Sequence, residues 1–139
     1  MTRALSIRQP YAEAILRGVK TIEFRSRPTR VIGEPFYIYA SKRPLGRGIW
    51  SGDLALPAAA ERGRVAWMLE LAEQVRMIEP GAHLPTGVLV GTAVIERCVP
   101  VDEHGLAPSH YAWHLRDVAR VSQPRKPERM PQPVWFNPF

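Results

Sequence analysis

Residues Gly18-Val19-Lys20-Thr21-Ile22-Glu23-Phe24-Arg25 oblige the chain to leave a helix and enter a strand within a few positions, and this change of period constrains the fold more than any other feature. The preceding segment, 10–17, predicts a short helix with Tyr11, Ala12, Ile15 and Leu16 on its apolar face and Pro10 in its first turn, where a missing amide costs little. Glycine at position 18 closes that helix, because a residue without Cβ enters the left-handed conformation cheaply. From Thr21 on, alternation puts Ile22 and Phe24 on one face of a strand and Thr21, Glu23 and Arg25 on the other. A carboxylate and a guanidinium therefore project side by side from a sheet, with Lys20 at the turn and able to reach either face.

The rest of the chain reads as strands with one further helix. Residues 4–7 and 35–40 read as strands, the second by its aromatic and β-branched content. Residues 88–101 form a long apolar strand whose glycines, Gly87 and Gly91, predict the bending seen in barrel strands. A further strand at 111–118 places Tyr111, Trp113 and Leu115 on one face, which is that of the interior, and a short strand follows at 119–122. The longest helix is expected at 57–79, where Val65, Met68, Leu69, Ala72, Val75 and Ile78 recur at helical spacing. Glu13 and Arg17, four apart, are expected to face water as a weak surface pair.

Residues 26–34, 80–85 and 102–105 read as loops, as does the glycine-containing stretch 45–53, which is long enough to lie over a cleft. Its glycines lack the spacing of a phosphate-cradling loop, so no nucleotide cofactor is expected. The proline-rich tail, 123–139, ends in Trp135-Phe136-Asn137-Pro138-Phe139, aromatics that predict packing against the domain.

At 139 residues and 45% hydrophobic content the chain has room for one domain, 1–139, with a real core. It holds no run of transmembrane length and no apolar leader at its start, so the cytoplasm is the expected compartment and no membrane partner is expected. The single cysteine, Cys98, excludes an internal disulfide and a multi-cysteine zinc site, and its apolar neighbours predict a packed, inert thiol. His110 and His114 have the spacing of a helical metal pair, but the segment between them reads as a strand, on which such positions lie about 13 Å apart, and no metal is expected.

The net charge of +6 is unevenly spread. Residues 1–47 carry ten Lys and Arg against three acids, whereas the remainder carries nine against ten, so the excess positive charge surrounds the opening octapeptide. That distribution suits a phosphate-bearing ligand. A solvated basic surface without a partner is the other reading of the same charges.

The octapeptide matches the pattern G-x-K-x-x-E-x-R completely. Together with Ala4-Leu5-Ser6-Ile7-Arg8-Gln9-Pro10-Tyr11-Ala12, Tyr39-Ala40-Ser41-Lys42, Pro85-Thr86-Gly87-Val88-Leu89-Val90-Gly91-Thr92-Ala93 and Tyr111-Ala112-Trp113-His114-Leu115, it resembles the ASCH domain family over nearly the whole chain. The resemblance implies an α+β fold, a PUA-like β-barrel with surrounding α-helices, and a cleft where the signature residues meet. It further implies an RNA or modified-nucleotide ligand, with Gln9, Lys20, Glu23, Arg25, Ser41, Lys42 and Trp113 as the residues that hold it.

Two functional classes follow. In a binding module, Lys20, Arg25 and Lys42 hold phosphates, Glu23 accepts hydrogen bonds from a base or orients the arginine, and Trp113 stacks on a base. In a small hydrolase, Lys20 and Glu23 are the catalytic groups, as the resemblance to ribonucleases and to amidohydrolases of acylated cytidine implies. In the amidohydrolase branch a threonine, the proposed nucleophile, stands where this chain has Glu23. The lysine is kept and the hydroxyl is not, and a lysine–glutamate pair still suffices to activate a water or a ribose 2′-OH. Binding is the favoured class. An ion-pair network that merely pins the strand is the structural alternative, and a protein adaptor acting through the proline-rich tail is a third class.

Overall fold

The computed structural model describes residues 3–9, 11–42, 84–101 and 110–139. Its described strands are β1 (Ala4–Ile7), β2 (Ile22–Arg25), β3 (Pro35–Ala40), β4 (Val88–Pro100), β5 (Tyr111–Arg125) and β6 (Trp135–Phe136), and a helix, α1 (Tyr11–Leu16), lies between β1 and β2. These strands form a sheet in the order β2-β5-β4-β3-β1-β6. Among the described residues only β1 and β3 run parallel, and the other neighbours are antiparallel.

The helix ends as its glycine predicts. Gly18 has φ of +76°, its amide donates to Ile15 O at 3.0 Å, and the Val19 amide donates to Ala14 O at 3.0 Å. This pair of bonds satisfies carbonyls of the last turn and directs the chain toward β2.

β4 and β5 form the longest ladder, and its register shifts at three places, between Leu89 and Gly91, Thr92 and Val94, and Ile95 and Arg97. Extra residues on one strand of a pair bend it and increase the local twist, which curls the sheet into a half-barrel. One bulge centres on Asp117, whose φ of 51° lies in the left-handed region that Asp tolerates better than most residues. The strands expected separately at 111–118 and 119–122 are therefore one strand, β5, bent at that point. Gly91 lies where β4, β5 and α1 meet: a Cβ there would run into Leu16 Cδ2 and stand 2.6 Å from the Ala119 carbonyl oxygen.

Alternation along the strands divides the apolar residues between two faces. Leu5, Ile7, Phe36, Ile38, Val90, Ile95, Trp113 and Leu115 form the main core with Ala12 and Ile15 of α1. On the other face, Ala4, Tyr39 and Leu89 pack against Phe136 of the tail. The tail thus returns to the sheet as its aromatics predict, with Trp135 stacked on Trp113 at 5.9 Å on one side and Phe136 edge-on to Tyr39 at 5.3 Å on the other.

The expected cover of surrounding helices is not found among the described residues. Among the described residues, α1 and the aromatic tail pack against the apolar faces of the curled sheet. The long helix expected at 57–79, the loops at 45–53 and 102–105, and Pro10 lie outside the described residues. Among the described residues no helix is long and apolar enough to cross a membrane.

Glu13 overturns its expected surface role. Its side chain is buried, and Arg120 of β5 grips it with two hydrogen bonds, Nη1 to Oε1 at 2.9 Å and Nη2 to Oε2 at 2.6 Å, while Arg17 Nε donates to Oε2 at 2.6 Å. Burial pushes this carboxyl up, but the hydrogen bonds and charges of Arg120 and Arg17 outweigh it and hold the carboxyl below its ordinary value. The clamp ties α1, and Tyr11 at its start, to the sheet.

Removing the Trp113 ring should cost about 3–5 kcal/mol, because it leaves a cavity beneath Trp135; urea unfolding of Trp113→Ala checks this. Since the folded Glu13 carboxyl is lowered, the stability it contributes is complete above its ordinary value of 4.5 and is lost as pH falls through the folded value. The urea midpoint of the parent should therefore drop more steeply between about pH 5 and pH 3 than that of Glu13→Gln, which at pH 7 should already be about 2 kcal/mol less stable.

Candidate functional site

Among the described strands β2 stands at one end of the sheet, paired with β5 so that Glu23 lies opposite Trp113 and Arg25 opposite Tyr111. Alternation places Glu23 and Arg25 on one face, as expected, and that face is the shielded one: Glu23 is 6% exposed, whereas Phe24 on the opposite face is 44% exposed. A carboxylate in so little water needs cations. Lys20 Nζ stands 3.9 Å and Arg25 Nε 3.7 Å from Glu23 Oε1. The other oxygen, Oε2, is buried and has no hydrogen-bond partner among the described residues.

Each cation is also held by something else. Lys20 is buried, donates from Nζ to the Ile22 carbonyl, and lies against the rings of Tyr11 at 5.5 Å and Phe24 at 5.6 Å. Burial draws its ammonium below the ordinary lysine range; the Glu23 charge opposes this and the Arg25 charge adds to it. Arg25 donates from Nη2 to Ser6 O at 2.7 Å and covers the Trp113 ring at 5.7 Å. Its guanidinium fixes β2 to β1 as much as it serves the charge row.

These residues meet at a cleft of about 710 Å³ where β1 and β3, running in parallel, both end. Glu23 and Arg25 form one wall, Ser41 and Lys42 another, and Ser6, Arg8, Tyr11 and Tyr39 complete the floor and rim with Met130–Pro133 of the tail. Lys42 is exposed and its chain lies over Gly87, where a Cβ would come within 3.1 Å of Lys42 Cγ. Gly87 also has φ of +73°, so a side chain there meets both strain and a tight contact.

Of the residues expected to bind, Glu23, Arg25, Ser41 and Lys42 line the cleft. Lys20 stands behind Glu23 and outside the lining. Gln9 is buried and occupied: its Oε1 accepts from the Glu13 amide at 2.9 Å, capping α1, and its Nε2 donates to Pro85 O at 3.0 Å. Trp113, expected to stack on a base, is 2% exposed, with Nε1 donating to Arg27 O at 3.1 Å and one face against Trp135. Its place in the sheet interior corrects that role, because no ring face is left for a ligand.

The lining residues missed were Ser6, Ile7, Arg8, Tyr11, Tyr39 and the tail segment. Burial, and next the Glu23 charge, raise the Tyr11 phenol above its ordinary value, so it stays a neutral hydroxyl at any physiological pH. Its proximity to Glu23 is a tertiary fact that helix periodicity does not carry. The position of Lys42 just beyond β3 was legible from the end of the aromatic run at Ala40, but nothing in residues 130–133 marks them as a wall.

The model of the ASCH domain matches residues 5–125. Among solved structures, the chain is similar to ASCH from Zymomonas mobilis, at 17% identity and a TM-score of 0.55, with 97% of this chain and 85% of that one covered. A serine-to-alanine variant of that protein gives 18% identity and 0.56 over 97% and 86%, and a tyrosine-to-phenylalanine variant gives 18% and 0.52 over 97% and 88%. No curated protein sequence matches the chain. With the family model spanning β1 to the end of β5, and Glu23 and Arg25 of the signature on β2 beside the cleft, the chain belongs to the ASCH domain family.

Proposed function

We propose that the protein binds single-stranded RNA, or a modified nucleotide, in the cleft bordered by Glu23, Arg25, Ser41 and Lys42. The observation that carries this reading is Glu23 Oε2, a buried carboxylate oxygen with no donor among the described residues. An unpartnered acceptor of this kind is costly, and a ligand that brings it an N–H or O–H recovers that cost. The amino or imino edge of a base supplies such a donor, as does a ribose 2′-OH, and the side chains around the cleft adjust to admit it. A phosphodiester cannot play that part, since it carries only acceptors at neutral pH. Phosphates belong instead at the mouth, where Lys42 and Arg8 are exposed. The ASCH domain is a PUA-like fold of the RNA-binding kind, which agrees with this division of labour.

A second reading, a small hydrolase, is favoured by one observation, the lowered Lys20 beside Glu23. A lysine that loses its proton more readily is available as an acceptor for the proton of a water or a 2′-OH held by Glu23. Its position behind the cleft wall, outside the lining, is why binding is preferred.

Binding of a short single-stranded RNA should weaken steeply with salt, and Lys42→Ala should flatten the slope of log affinity against log salt by about 0.7, the share of one phosphate contact. Glu23→Gln should change the preference among bases more than that slope; no binding by the parent at low salt would sink the proposal. Against acylated nucleosides and short RNAs the parent should show no turnover. Reproducible turnover that rises with pH as Lys20 deprotonates, and is abolished by both Lys20→Ala and Glu23→Gln, would replace binding by hydrolysis.

A further inference from the structure

The cleft has a buried acceptor and a cationic mouth, but the tryptophan expected to stack on a base is in the core. Tyr39 is 3% exposed, and Tyr11 is half-buried with Lys20 against its ring. Met130, in the lining, is 86% exposed, more than any other large hydrophobic side chain among the described residues. We propose that Met130 and Pro131 form the platform on which the base of a bound nucleotide lies, its edge directed to Glu23. This inference rests on the nucleotide-binding reading above and assigns the part of the ligand that the signature leaves unplaced.

Three observations support it. First, the segment is held in place although the Met130 side chain is exposed: Ser6 Oγ donates to Gln132 O at 2.5 Å, the Ser6 amide donates to Val134 O at 2.9 Å, and the Glu128 and Arg129 amides both donate to Pro138 O. Pro131 and Pro133 fix two further backbone angles, so the backbone that carries the platform is set before the ligand arrives. Second, the two ends of the cleft ask for one shape. A nucleobase has donors along its edge and a flat, polarizable face, which meet an orphan carboxylate oxygen and a thioether with a pyrrolidine ring. Third, residues 130–133 lie beyond the stretch 5–125 matched by the family model, so the platform is no part of the signature.

The test compares a short single-stranded RNA with an abasic ribose-phosphate strand of equal length, by anisotropy at fixed low salt. Met130→Ala removes an exposed side chain and should leave folding unchanged. It should weaken RNA binding by about two- to tenfold, the range of a thioether–aromatic contact, and leave the abasic strand unaffected. Met130→Trp should tighten RNA alone, and bound RNA should slow peroxide oxidation of Met130, read by mass spectrometry. Lys42→Ala should weaken both strands alike. If the parent binds RNA but Met130→Ala and Met130→Trp bind it equally well, or if Met130→Ala weakens both strands in parallel, the platform is wrong and the cleft reading stands. If the parent binds neither strand, both fall together.

Discussion

Placing a carboxylate out of water costs several kcal/mol unless donors and cations surround it, and the burial of Glu23 is the constraint to which this fold is fitted. Lys20 reaches it only because Gly18 turns the chain sharply after α1, and Arg25 reaches it because alternation returns to the same face two residues on. Arg25 in turn is steadied by the Ser6 carbonyl and the Trp113 ring, which connects the charge row to β1 and to the core. All of this attends to Oε1. The second oxygen has no partner among the described residues, and it is this incomplete compensation that separates Glu23 from an ordinary buried ion pair.

Glu13 shows the contrast. It is just as deeply buried, yet Arg120 and Arg17 supply donors to both of its oxygens. Its carboxylate fastens a helix to a strand and has nothing left to offer a ligand. Two glutamates of one domain thus differ in how fully their oxygens are satisfied, by the number of donors each is given rather than by depth.

Much of this was legible in the residues. The cap at Gly18, the bounds of β1 and β3, the length of β4, the face shared by Glu23 and Arg25 and the return of the aromatic tail all follow from local period and composition, which act over a few residues. What escaped depends on partners far away. Glu13 with Arg17 looks like a helix surface pair until Arg120, 107 positions on, arrives to bury it. Gln9 has the look of a binding residue until Pro85 and the Glu13 amide consume its amide group. Alternation already placed Trp113 on the interior face, and Trp135 stacked on its ring excludes the stacking role that the resemblance suggested. The single strand β5 looked like two because a bulge at Asp117 breaks the period that sequence reading relies on.

The order of strands across the sheet has a temporal meaning as well. β1 lies between β3 and β6, and β2 pairs with β5 at one end of the described strands, so two early strands of the domain have neighbours that come late in it. Contacts separated so widely in sequence form slowly, since long loops must close before any pairing rewards them. During translation, then, the strand carrying Glu23 lacks its place in the sheet until β5 emerges, and the wall formed by Met130–Pro133 comes later still. The cleft therefore closes in stages from late parts of the chain, first when β5 gives β2 its place and then when residues 130–133 complete the lining.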